Sequence, residues 1–102
     1  MILKLLLLAI AIAPAASSLI GGWSPGESSC GSDEDISLEA DGTYSHAEGE
    51  GIWTLAGDRL TLSSTGGDDF GRSEVVQIRV RGPVEMDMEW RDGGRASFYR
   101  CP

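Results

Sequence analysis

Few residues in this chain could carry out covalent chemistry. There are two cysteines, Cys30 and Cys101, one histidine, His46, and sixteen aspartates and glutamates. A Ser/His/Asp triad would have to recruit His46 as its base. No G-x-S-x-G elbow exists to hold a nucleophile, because Gly26-Glu27-Ser28-Ser29-Cys30 lacks the closing glycine. Carboxylate pairs are frequent, but Glu85, Asp87 and Glu89 alternate with apolar residues, as on the wet face of a strand. Asp68 with Asp69, or Asp33, Glu34 and Asp35, lacks the ligand spacing and glycine of a dedicated calcium loop. No C-x-x-C-H tract is present to attach haem. The expectation is a protein that is not an enzyme, with no metal and no cofactor.

The cysteines read as one disulfide. No C-x-x-C spacing suggests metal or redox work, and an even count in a small chain fits an oxidising compartment. That compartment agrees with the N-terminus. Lys4 precedes an unbroken apolar run over residues 5–12, and Ala13-Pro14-Ala15 follows with small residues at both recognition positions. This is the layout of a secretory signal peptide. Eight apolar residues fall far short of the roughly 20 that span a bilayer as helix. Cleavage is expected after Ala15, with Ser18 as the alternative. The domains are then a signal peptide at residues 1–15 and one mature domain at residues 16–102, located in the periplasm or secreted.

Lys4, the only lysine, leaves with the signal. The mature domain holds seven arginines against sixteen acids. Phosphate repulsion disfavours nucleic acid as a partner, an anionic membrane surface is disfavoured likewise, and a basic protein is the compatible one.

Beyond the signal the pattern is β throughout. Short alternating runs fall at residues 19–23, 36–40, 43–46, 52–55, 59–63, 76–80, 84–90 and 95–101, separated by Gly, Asp and Pro. Asp41-Gly42 is a hairpin turn signal. Residues 64–71, with three glycines, Asp68, Asp69 and Phe70, read as the longest flexible loop. The expected fold is all-β, a small antiparallel meander of about eight strands forming a closed or partly closed barrel, with a two-sheet sandwich as the alternative. Tyr44, Trp53, Leu60, Ile78, Met86, Met88, Trp90 and Phe98 should face inward.

Several short motifs resemble a known family. Gly21-Gly22-Trp23 looks like the G-x-W of lipocalin-like (calycin) barrels, and Arg100 stands where an arginine often covers that tryptophan. Asp41-Gly42-Thr43-Tyr44, Gly51-Ile52-Trp53, Gly57-Asp58-Arg59-Leu60-Thr61-Leu62 and the terminal Arg100-Cys101 are similar to small exported lipocalin-like proteins of Gram-negative bacteria. The resemblance implies a binding protein. A small apolar ligand would lie against Trp53, Met86, Met88 and Trp90. Tyr99-Arg100-Cys101-Pro102 and Tyr44 with Trp53-Thr54-Leu55-Ala56-Gly57 have a look of the lysozyme-inhibitor barrels, which implies a basic enzyme as partner. Separately, the acidic loop with one aromatic, Asp68, Asp69 and Phe70, has the character to anchor in a basic cleft. A structural envelope protein with no ligand is the third reading.

Overall fold

A computed structural model describes residues 15–26, 30–68 and 70–102. The expected signal peptide lies outside them except for Ala15. The described residues form a short 3-10 helix at Ala16–Leu19 and eight strands: β1 (Gly21–Ser24), β2 (Ile36–Leu38), β3 (Thr43–His46), β4 (Gly49–Ala56), β5 (Arg59–Gly67), β6 (Ser73–Val80), β7 (Glu85–Trp90) and β8 (Arg95–Arg100). Each strand pairs antiparallel with the next, and β1 pairs with β8. The result is a closed meander barrel rather than a sandwich. Closure depends on Trp23 lying opposite Arg100 and Ser24 opposite Tyr99.

Alternation decides which side chains enter. On β4, Trp53 is buried while Ile52 and Thr54 are exposed. On β7, Met86 and Met88 are buried between Glu85, Asp87 and Glu89. These meet Leu38, Tyr44, Leu60, Leu62, Val76, Ile78 and Phe98 in one core. Val84, by contrast, stands just before β7 and is exposed.

The acidic row on β7 faces arginines. Arg81 reaches Glu85 at 2.9 Å and Asp87 at 2.8 Å, and Arg95 reaches Glu89 at 3.2 Å. Ser97 Oγ donates to Asp87 at 2.9 Å. Hydrogen bonding from Ser97, then the Arg81 guanidinium, holds the Asp87 carboxyl below the usual aspartate range. A lowered folded-state pKa means stability that is present above the unfolded value of about 3.9 and lost as pH falls through the folded value. Asp87→Asn is therefore expected to be less stable than the parent at neutral pH, by a gap that narrows as pH falls below about 4. Thermal melts across that range check this. The side chain is partly exposed, so the effect is small. A difference that persists undiminished in acid would rule it out.

The first residues depart from expectation. Residues 19–23 read as one strand, but Ala16–Leu19 is a 3-10 turn that closes one end of the barrel, and β1 starts only at Gly21. Leu19 and Trp23 are wholly buried there, and the Trp23 indole N–H donates to Leu19 O at 2.9 Å. Arg100 covers the assembly, its guanidinium carbon 4.4 Å from the Trp23 ring centroid. That guanidinium also donates to Ile20 O at 2.6 Å, Pro83 O at 2.9 Å and Ser18 O. Gly21 has φ +132°, and a Cβ there would meet Arg100 Nη1 at 2.8 Å. The glycine of the G-x-W pattern is thus needed for its conformation, and a Cβ would also push the Arg100 guanidinium aside.

Cys30 and Cys101 form the expected disulfide, joining the β1–β2 connection to the C-terminus across 71 residues. Cys101 N–H also donates to Gly22 O at 2.8 Å. Among the described residues no helix is long and apolar enough to cross a membrane.

Candidate functional site

The two groups of residues expected to bind occupy different places. Trp53, Met86 and Met88 are 7%, 0% and 2% exposed and belong to the core. The Trp53 indole N–H donates to Glu39 O at 2.9 Å, which fixes that ring. Trp90 is half-buried and tilts against Phe98, with ring centroids 6.3 Å apart. Phe98 lies opposite Met86, and Ala96 opposite Met88. These side chains pack against one another around the axis of the barrel.

The second group stands outside. Phe70 is 71% exposed at the β5–β6 turn. Asp69 lies outside the described residues. The segment expected to be a long flexible loop is shorter and better held: β5 continues to Gly67, pairing residues 64, 66 and 67 with β4. The serine, threonine and glycines of this stretch resemble a loop in composition, but pairing with β4 sets the path of Ser64, Gly66 and Gly67. The turn itself is closed by Phe70 N–H to Gly67 O at 3.2 Å and Gly71 N–H to Ser64 O at 3.2 Å.

A second element braces this turn. Asp68 N–H donates to Glu48 O, 2.8 Å away in the β3–β4 hairpin. Gly67 has φ +86°, and a Cβ on it would lie 2.4 Å from that same carbonyl oxygen. Only glycine lets the two tips approach so closely. Within the hairpin, Glu48 N–H donates to His46 Nδ1 at 3.1 Å, and His46 stacks on Tyr44 with centroids 5.9 Å apart. An open hollow of about 740 Å³ lies between the tips, lined by Glu39, Tyr44, His46, Glu48, Glu50 and Asp68 among others.

Asp68 and Phe70 are thus presented on a joined pair of hairpin tips. Sequence reasoning found the turn but missed its partner. The available signal was Gly49 on β4 set against Gly66-Gly67 on β5, where a Cβ on Gly49 would meet Gly66 O at 2.6 Å. A broader open concavity, about 1250 Å³, spans β6–β8 at Gln77, Arg79, Asp87, Glu89, Arg95 and Ser97. Of the four expected ligand residues only Met88 belongs to it. Among the described residues no three His, Cys, Asp or Glu side chains gather closely enough to hold a metal ion.

The arrangement offers an exposed aromatic side chain beside carboxylates on a braced backbone. In comparison with known proteins, the chain matches no family model, no curated protein and no solved structure.

Proposed function

We propose that the chain is an exported, non-enzymatic binding protein that recognises a basic protein surface with its joined β3–β4 and β5–β6 tips. The observation that carries this reading is Phe70, a large apolar side chain held 71% exposed on a turn pinned to a second hairpin. Ordering that turn in advance spares part of the entropy a flexible loop would lose on binding. Asp68 and Glu48 flank it, and a net charge of −8 over the chain favours encounter with a cation-rich partner. A secreted basic enzyme such as lysozyme or a protease has the right character.

The periplasmic or secreted location belongs to the same proposal. It rests on residues 1–15 reading as a signal peptide and on a disulfide compatible with export. So does the lipocalin-like assignment, which Arg100 over Trp23 supports. The other occupant considered, a small apolar molecule against Trp53, Met86, Met88 and Trp90, has less support, because the first three are spent in core packing.

The test is titration of the protein against basic lysozyme and a panel of basic proteases, at low and at high salt. Phe70→Ala is expected to weaken binding about 30-fold, the effect of losing an anchor of about 2 kcal/mol. Asp68→Asn should weaken it less and reduce its salt dependence. Binding that survives both substitutions unchanged would defeat the proposal, as would no binding to any of these enzymes.

A further inference from the structure

Charge is unevenly spread over the outside of the barrel. The β7–β8 face carries Glu85, Asp87, Glu89 and Arg95. The outward positions of β4, β5 and β6 carry no charge over two successive rows. Pairing sets Ile52 beside Ser63 and Ser63 beside Ser73, then Thr54 beside Thr61 and Thr61 beside Val75. Ile52 and Val75 are 50% and 46% exposed, one on either side of β5. Single apolar residues are ordinary on a protein surface. Two of them on a charge-free sheet face, in a chain that is 24% charged, mark that face out.

The face ends in opposite charges. Toward the hairpin tips the next outward residue of β4 is Glu50, whose Cγ lies 3.3 Å from where a Cβ on Gly66 would stand. Glu48 and Asp68 lie beyond it and add to this acidic end. At the other end Arg59 points outward from β5, opposite Ala56 on β4 and Gln77 on β6. Asp58, in the turn before it, offsets part of that charge, so this end is close to neutral where the other is acidic. From Glu50 to the row of Arg59 is about 20 Å along the strands.

We propose that a second copy of the chain docks on this face, sheet on sheet and turned end for end. A net charge of −8 makes two copies repel over most of their surface, and a neutral face is where that repulsion is least. A two-fold axis lying across the strands sets Glu50 of each copy beside Arg59 of the other and covers Ile52 and Val75. An axis along the strands would bring the two acidic ends together. The contact is the same patch on both copies, so association stops at two. Six residues are few beside the roughly 20–30 a side of a standard interface, and the dimer is of the weak, transient class.

Sedimentation equilibrium of the disulfide-bonded protein, from about 10 μM to about 1 mM, covers the range where such a dimer forms. The average mass should climb from monomer toward dimer. Val75→Glu lays a carboxylate on the face of both copies and should weaken association at least about tenfold, with the circular dichroism unchanged. Glu50→Arg and Arg59→Glu should each weaken it, and the double variant should restore it. A mass that stays at the monomer throughout would overturn the proposal, as would association untouched by Val75→Glu. Association lost with Phe70→Ala would move the contact to the hairpin tips. A double charge variant no better than the single ones would overturn the end-for-end arrangement.

Discussion

Trp23→Ala is expected to destabilise the barrel by about 3–5 kcal/mol, the range for removing a buried aromatic side chain. Small domains have only about 5–15 kcal/mol of total stability, so much of the margin would go. The loss extends beyond the indole's own contacts. Trp23 fills the closed end of the barrel, its N–H satisfies Leu19 O, and its ring carries the Arg100 guanidinium. Removing it leaves Leu19 O without its donor and opens a cavity where β1 meets β8. Trp23→Phe should cost less, since an aromatic ring still lies under Arg100. Urea denaturation followed by circular dichroism measures both, and a Trp23→Ala loss below about 1 kcal/mol would contradict the role given to this residue.

Breaking the disulfide is the other large effect. Cys30→Ser is expected to lower stability by about 4 kcal/mol, on the loop-closure account for a bridge spanning 71 residues. Cys101→Ser should cost the same, and the double variant no more than either, because all three remove one bond. The parent treated with reductant should fall to the same stability as the variants. If reduction leaves its urea midpoint unchanged, the bridge does not hold the domain together. Two reactive thiols on the untreated protein would be a more direct refutation.

The strands were legible because burial on one face imposes a period of two. The run from Met86 to Trp90 shows it well, with Met86 and Met88 inside and Asp87 and Glu89 outside. The disulfide was legible from the count of cysteines. Closure was expected from eight sequential strands with one apolar face, but the register that achieves it, Trp23 opposite Arg100, joins residues at opposite ends of the domain and has no local signature in strand periodicity. The Ala16–Leu19 turn is too short to show a helical period. The upper part of β5 was read as loop because Ser64, Thr65, Gly66 and Gly67 have the composition of one, while long-range pairing with β4 decides their conformation. At the candidate site Phe70 was visible as an apolar residue among polar ones. The hairpin that braces its turn became apparent only when Asp68 N–H was seen to donate to Glu48 O.

The meander order also governs how the chain assembles. Seven of the eight strand pairings join consecutive strands and can form as hairpins, whereas β1 and β8 must find each other across the whole domain. Until they do, the nascent sheet has two free edges, and unpaired edges are templates for joining another molecule. The disulfide tethers the connection beyond β1 to the residue that follows β8. Once oxidised, it keeps the two edges in each other's reach, so that the right partner for each edge is always the nearest one. Slow oxidation would therefore show itself as aggregation before it showed itself as lost stability.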